Sequence, residues 1–463
     1  VNILNKRLPN IRIGVFGHYG NKNLGDESII EAAIQNIRKK MPSVEIIGFS
    51  INPKDTSQRY NIPAFLIRQP KIAHSRVSSN HPPLKSEKSN THIDPSDRHI
   101  KNRLSTFKNM VKGLPILAGC SRAARSLIAM PKRLVGEIRF ISNAYRILKD
   151  IDILMITGSN QFLDNFGGPW AFPYTLLKWS ALAKLAGSKV TFVSVGAGPI
   201  SHRLSTIFIR WALRFSDYAS LRDAGSQSLI QKCGYKGHTH IYPDIAHSLK
   251  IDHIRPHQLT FVQESNRLPI VGINPMPLYD SRYWCVHNEK KYNVYLNKLV
   301  QFSNRLLAEK YPIFFFATQE KDNNVIDDIL PLLDPEHMQA RPVESLVLYS
   351  QTVDELMTNI FSADIVVATR FHGTVLSLLA EKPLVGICYY RKARELMIDM
   401  EQGEYAVDLD TFSVEDLWKR FKMLEANRAA EKELIRKYNS AYSSFLNQQY
   451  DILCGATDQE TIF

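Results

Sequence analysis

Short apolar runs alternate with longer amphipathic stretches along this chain. Residues 11–16 (IRIGVF) read as a buried strand followed by a Gly-rich turn. Over 27–41, Ile29, Ile30, Ala33, Ile34 and Ile37 recur at helical spacing, with Arg38, Lys39 and Lys40 in the last turn, where cations suit the helix dipole. Residues 44–50 (VEIIGFS) then complete a β-α-β unit. The alternation resumes with 152–157 (DILMIT), a helix over about 171–186, and 189–195 (KVTFVSV). A second series follows the polar stretch 250–267, which reads as a linker. It comprises a strand at 269–274, a helix over about 289–310, and strands at 313–317, 364–368 and 383–387. Strands followed by helices at this spacing predict parallel, doubly wound sheets. The expected fold class is therefore α/β, with two Rossmann-like domains at 1–255 and 265–412. A helical segment at 413–463 follows, and its pattern over 414–447 is expected to pack back across the junction.

Composition narrows this further. With 463 residues, 44% hydrophobic and 22% charged, the chain is neither disordered nor collagen-like. No stretch reaches the roughly 18 to 20 apolar residues that span a bilayer, and residues 1–10 lack the apolar core of a signal peptide, so a cytoplasmic chain is expected. Cys120, Cys233, Cys285, Cys388 and Cys454 are far apart and read as buried thiols in a reducing compartment. No His, Cys or Asp grouping has metal-ligand spacing, so no metal is expected.

The net charge of +13 changes the picture because of where it lies. Residues 71–149 interrupt the first domain and hold 16 Lys and Arg against four acids, which leaves the rest of the chain nearly neutral. The front of this basic insert, 71–98, is rich in Ser, Asn and Pro and reads as a flexible loop. Its rear, 101–149, mixes Leu, Ile, Met and Phe with Lys and Arg, as a basic amphipathic segment lying on an anionic membrane surface does, at roughly 1 kcal/mol per basic side chain. Pro115, Gly119 and Pro131 would break that segment into pieces, and basic helices packed on the domain are the alternative. Nucleic acid is not an expected partner, because the segment has few aromatics to stack bases and no recognisable nucleic-acid motif.

Candidate chemistry sits in the loops that end the strands. In Gly17-His18-Tyr19-Gly20-Asn21-Lys22-Asn23-Leu24-Gly25-Asp26-Glu27, Gly20 and Gly25 have P-loop spacing, but Asp26 and Glu27 stand where a Walker loop has Lys-Ser/Thr. Two carboxylates there repel a triphosphate. The loop either offers backbone N–H groups to another ligand or makes a tight turn with Asp26 as a helix cap. Gly158, Ser159, Asn160 and Gln161, with Trp170 and Phe172 beyond them, follow a buried strand and suit a sugar face and its hydroxyls, unless they form an ordinary connection. Gly196 and Gly198 permit close backbone approach. Arg222, beside a helix cap in Ser220-Leu221-Arg222-Asp223, can hold a phosphate or carboxylate through two parallel hydrogen bonds, or serve an internal ion pair. Arg370 and His372 are two apart where a buried strand ends at Ala368-Thr369-Arg370-Phe371-His372-Gly373. In extended chain they project to the same side, giving an anion a cation and a proton donor. Tyr389-Tyr390-Arg391-Lys392 adds cations near another strand end.

Taken as an ordered set, these motifs resemble the polysaccharide pyruvyl transferase family. The match is carried by Gly17-x-x-Gly20-x-x-Asn23-x-Gly25-Asp26-Glu27, residues 152–158, Gly196-x-Gly198-Pro199, Ser220-x-Arg222-Asp223, Pro243-Asp244-x-Ala246, Arg370-x-His372-Gly373, Pro383 and Tyr390-x-Lys392, over roughly residues 11–400. Where many members have three glycines, this chain has Gly158-Ser159-Asn160. The resemblance implies a fold like the two-domain GT-B glycosyltransferases and transfer of pyruvate from phosphoenolpyruvate to a sugar or lipid-linked saccharide, forming a cyclic ketal and releasing phosphate, without a cofactor. Arg222 and Arg370 would then hold the donor, His372 would give the proton or bind phosphate, and Asp26 would orient the acceptor. Arg370→Ala and His372→Ala are each expected to abolish phosphate release in a protein that stays folded. Two other readings compete: a GT-B glycosyltransferase using a nucleotide sugar, because fold does not fix function, and a non-catalytic basic membrane-surface protein.

Overall fold

The computed structural model describes residues 11–69, 135–256, 268–284, 286–338 and 346–455. The chain divides into two compact units, one of Val1–Ile67 with Ile147–Phe463 and the other of Arg68–Arg146. Of the second unit, residues 68–69 and 135–146 are described, the latter helical. The loop expected at 71–98 and the basic membrane-docking segment up to residue 134 lie outside the described residues, as do Cys120, Cys285 and most of the polar stretch 250–267.

The larger unit is built on two parallel sheets. The first comprises β1 (Arg12–Phe16), β2 (Glu45–Ser50), β3 (Ala64–Leu66), β4 (Ile153–Thr157), β5 (Lys189–Val195), β6 (Tyr218–Leu221) and β7 (His240–Ile241), in the order β3-β2-β1-β4-β5-β6-β7. Its helices are α1 (Leu24–Lys40), α2 (Pro53–Tyr60), α3 (Phe172–Ala186), α4 (Arg203–Arg214) and α5 (Ala224–Lys232). The second comprises β8 (Val271–Asn274), β9 (Ile313–Phe316), β10 (Val347–Leu348), β11 (Ile365–Ala368), β12 (Leu384–Cys388) and β13 (Ala406–Asp408), in the order β10-β9-β8-β11-β12-β13. Its helices are α6 (Glu289–Ala308), α7 (Asn323–Ile329), α8 (Val353–Phe361), α9 (Phe371–Leu379) and α10 (Arg391–Asp399), and α11 (Val414–Cys454) closes the described chain.

Central strands such as β4 and β11 are buried along their whole length, as the continuous apolar runs ILMIT and IVVA require of strands covered on both faces. Each sheet reverses its strand order once, between β1 and β4 and between β8 and β11. Loops leaving the carboxyl ends of strands at such reversals form the ligand crevice of open α/β sheets.

Helix α1 begins where the sequence caps it. The Asn23 side chain accepts from Gly25 N, Asp26 and Glu27 occupy the first turn, and Arg38, Lys39 and Lys40 occupy the last. Glu27 is fully buried and is bound within its own half, accepting from Gly20 N at 2.7 Å and the Tyr60 hydroxyl at 2.6 Å. It therefore fixes the turn that precedes α1. The same turn is bonded to the second half, where Leu24 N donates to Thr318 O at 2.9 Å and Asn23 forms a β-bridge with Gln319.

Helix α11 is one 41-residue element in contact with both halves, packing on α1 and α6. On the first half it places Gln449 against Ser194, Ser220 and Tyr218. On the second it bonds Glu425 to Tyr311 and Asn439 to the Leu378 carbonyl. Four edge strands, β3, β7, β10 and β13, have only two or three residues each and go beyond the strands expected from the pattern. No described helix is long and apolar enough to cross a membrane. Cys233, Cys388 and Cys454 are free and buried.

One contact between the halves titrates near neutrality. Burial, and then the Asp354 carboxylate at the start of α8, push the Glu31 carboxyl on α1 up to about 7 from 4.5, against the opposing pull of Arg59 and His253. The folded protein therefore holds a proton that the unfolded chain has already released, and stability is lost as pH rises from about 4.5 through about 7. Glu31→Gln is expected to raise the melting temperature at pH 8 and to leave it nearly unchanged at pH 5. Equal effects at both pH values in thermal unfolding would contradict this.

Candidate active site

The crevice between the two halves is lined by buried charged side chains from both. Arg222 follows the end of β6, and its neighbour Asp223 caps α5 by accepting from Ser226 N at 2.5 Å. The Arg222 Nη1 donates to Asp244 Oδ2 at 2.7 Å, and the guanidinium carbon lies 4.3 Å from the centre of the Phe371 ring in the other half. Its Nε is buried without a hydrogen-bond partner among the described residues. A guanidinium can lie this close to the loop after β5 because Gly196 has no side chain: a Cβ there would stand 2.6 Å from Arg222 Nη2 and 3.0 Å from Asn160 Oδ1. The ion pair weighed as an alternative for Arg222 is thus present, and it leaves further N–H groups of the five-donor fork for a ligand.

Asp244 joins this arginine to the histidine. Its Oδ1 accepts from Ala246 N at 3.0 Å, and its Oδ2 lies 3.8 Å from His372 Nε2. Burial opposes the charge of Asp244, but the His372 imidazole, the Arg222 guanidinium and the Ala246 amide more than offset it and hold the carboxyl well below the usual range. Behind it, burial pushes the His247 imidazole down to about 4, so that ring is neutral near pH 7. His372 Nε2 is buried and makes no hydrogen bond among the described residues.

Arg370 does not project with His372 to one side, as extended chain would have had it. Arg370 is the extended cap residue of α9, and the helix starts at Phe371, so His372 already lies in its first turn. Helical rotation sends the two side chains apart. His372 meets Asp244 of the first half, while Arg370 turns to its own half, where Nε donates to Asp322 Oδ1 at 2.7 Å and Nη2 lies 2.5 Å from the same oxygen. Asp322 is fully buried and also accepts from Thr318 N, Thr318 Oγ1 and Gln319 N. Burial works against the Arg370 charge, and the Asp322 carboxylate more than compensates, so the guanidinium stays protonated.

Lys392, in the first turn of α10, donates to Asn160 Oδ1 across the crevice, and the Asn160 amide in turn donates to Gly198 O at 2.6 Å. Burial first, and then the like charge of Arg222, hold the Lys392 ammonium well below its ordinary range. Arg222, Asp223, Asp244, Phe371, Lys392 and Tyr442 line a cavity here. Ser159 takes a left-handed backbone, φ 68°, in the loop where the resemblance has glycines, and its carbonyl accepts from Gly196 N. Gly158 packs against Ile29 and Ile245. Asp26 is engaged within its own loop, accepting from Asn23 Nδ2 at 2.8 Å. Gly25 and Gly373 are close-approach positions: a Cβ on the first would lie 2.5 Å from the His372 ring, and on the second 2.0 Å from Asn274 Oδ1.

Sequence reasoning missed three contributors. Asp322 follows β9 by six residues, as an acid in a strand-end loop can. Tyr283, its ring 5.2 Å from the Arg370 guanidinium, and Trp284 lie in the loop after β8, where aromatic content was the only signal.

The architecture is that of the GT-B enzymes. The UDP-GlcNAc 2-epimerase of Neisseria meningitidis, solved with UDP-GlcNAc, superimposes with a TM-score of 0.53 at 11% identity, covering 96% of this chain and 100% of that one. The corresponding epimerase of Methanocaldococcus jannaschii gives 0.51 at 10% identity, covering 93% and 99%. The trehalose-6-phosphate synthase OtsA gives 0.50 at 11%, covering 96% and 99%. No curated protein matches the sequence. The model of one family, polysaccharide pyruvyl transferase, matches residues 23–390. That span takes in the second switch point and the strand-end loops bearing Arg222, Asp244, Arg370 and His372, and this chain belongs to the polysaccharide pyruvyl transferase family.

Proposed function

We propose that the protein transfers the enolpyruvyl group of phosphoenolpyruvate to a sugar of a polysaccharide or of its lipid-linked precursor, forming a pyruvate ketal and releasing phosphate. The observation that carries this reading is the Arg222–Asp244–His372 cluster closed between the two halves, with Lys392 beside it. It unites the Arg222 guanidinium, and a Lys392 amine that a bound anion would help to keep protonated, with an imidazole free to move a proton. Arg222 and Lys392 hold the donor from one side and Arg370 from the other, the arginines through the N–H groups their carboxylate partners leave unused and the lysine through the donors it does not give to Asn160. One acceptor hydroxyl adds to C2 of the donor while His372 delivers a proton to C3, and that hydroxyl's proton is released. The second hydroxyl then forms its own bond to C2 as the C2–O bond to phosphate breaks. Its proton leaves with the phosphate, and no oxidant or cofactor is needed. The reaction would take place at the cytoplasmic face of the membrane, with the basic segment 101–149 on its anionic surface.

Phosphoenolpyruvate is expected to raise the melting temperature and UDP to leave it unchanged, since a ligand at about 100 times its Kd stabilises by roughly 2.7 kcal/mol. Phosphate release with a panel of sugar acceptors, with product mass as readout, completes the test. Stabilisation by UDP alone would replace this reading with nucleotide-sugar transfer. Removal of residues 71–134 is expected to end sedimentation with phosphatidylglycerol vesicles, and unchanged sedimentation would remove the membrane part.

A further inference from the structure

A series of aromatic rings leads from buried Arg370 to the exposed rings of Phe166 and Tyr390. Tyr283 lies 5.2 Å from the Arg370 guanidinium, and the Trp284 ring centre is 5.7 Å from that of Tyr283 and 6.2 Å from that of Tyr389. Beyond these, Trp284 meets Phe166 at 6.0 Å and Tyr390 at 6.3 Å. Phe166 is 39% exposed and Tyr390 37%. The rings come from three strand-end loops, those after β4, β8 and β12, and Phe166 belongs to the first half while the others belong to the second. Exposed aromatic rings at a polar crevice mark a surface built to bind something with an apolar face.

We propose that Phe166, Trp284 and Tyr390 form the stacking subsite for a pyranose ring of the acceptor. The proposal rests on the pyruvyl-transfer reading for the role of that sugar. A pyranose has a face of C–H groups that are electron-poor, and aromatic faces carry the complementary negative quadrupole. The geometry favours a puckered ring over a flat base: Trp284 meets Phe166 at 86° and Tyr390 at 45°, so the rings are angled to one another and do not form the parallel slot that a nucleobase fills. An amide side chain for the hydroxyl edge stands nearby: Gln319 Oε1 accepts from the Tyr283 hydroxyl at 3.4 Å. The sugar would thus stack on the exposed rings with its hydroxyls directed inward toward the donor.

The test is saturation-transfer NMR with methyl β-glycosides of glucose, galactose and mannose on the full chain, with uridine as a competing probe. At least one glycoside is expected to receive saturation on its ring C–H protons. Trp284→Ala and Phe166→Ala are expected to weaken that binding about tenfold, as loss of one aromatic contact implies. Trp284→Phe should recover most of it, and circular dichroism would check that each variant folds. In turnover assays the same variants should raise the acceptor KM while leaving the phosphoenolpyruvate KM unchanged. The proposal is overturned if no glycoside binds, if binding survives both alanine variants, or if uridine takes the subsite in place of the sugars. Phosphoenolpyruvate protection is measured on the same samples, so its absence with glycoside binding intact would count against pyruvyl transfer and not against the sugar subsite.

Discussion

Arg370→Ala is expected to lose about 3–5 kcal/mol of stability, the usual penalty for leaving a buried charge without its partner, as well as its turnover. Asp322 has no solvent exposure, and Arg370 is the cation that balances it. The three other donors to Asp322, from Thr318 and Gln319, are neutral and bind only its Oδ2. This revises the expectation that Arg370→Ala removes a ligand contact and nothing else. The two effects separate in the double variant Arg370→Ala/Asp322→Asn. Without the carboxylate charge, much of the stability should return in urea unfolding, whereas phosphate release should stay absent because the Arg370 guanidinium is still missing from its side of the donor. If the double variant regained turnover, Arg370 would be an ion-pair residue only. If Arg370→Ala alone were as stable as the wild type, the buried pair would not be balancing charge as the structure implies.

The second large effect is expected from the smallest possible substitution. Gly25→Ala places a Cβ 2.5 Å from the Cβ, Cγ and Nδ1 of His372. Because the histidine Cβ is among the three, rotating the imidazole alone does not relieve the overlap, and α1 must move away from α9. Helix α1 is held by the Leu24–Thr318 backbone bond, so the strain falls on the contact that positions His372 beside Asp244. Turnover should fall by about 10² to 10⁴, as for loss of a positioned proton donor, with about 1–3 kcal/mol of overpacking strain. His372→Gln should reach a similar kcat without that strain. In a His372→Gly background the added methyl meets none of those three atoms, so the two changes should be strongly non-additive in stability. Wild-type turnover by Gly25→Ala would sink this account of the glycine and of the histidine it supports.

The parts of the fold that were legible from sequence are those written in local pattern. The strands from 11–16 to 383–387 are apolar runs bounded by turns, and α1 carries its cap, its acids and its cations in order. The edge strands β3, β7, β10 and β13 were not legible, because two or three residues are too few to show a period. In the site, Arg222, Arg370 and His372 stood out as residue types at strand ends, but their partners did not. Asp322 lies 48 residues from Arg370, and only the sheet order, in which β8 alone separates β9 from β11, brings them together. The direction of Arg370 relative to His372 depended on whether the helix begins before or after Phe371, and a one-residue difference in that boundary changes which half each side chain faces.

The long terminal helix has a consequence for the order in which the protein can be completed. Ser194 and Ser220, buried in the first sheet, find their amide partner in Gln449, 255 and 229 residues further on. A ribosome has therefore already produced both sheets before the polar interior of the first one is closed. Until residue 449 emerges, the nascent first half leaves these hydroxyls to water beside an uncovered apolar flank, the kind of surface through which incompletely folded chains aggregate.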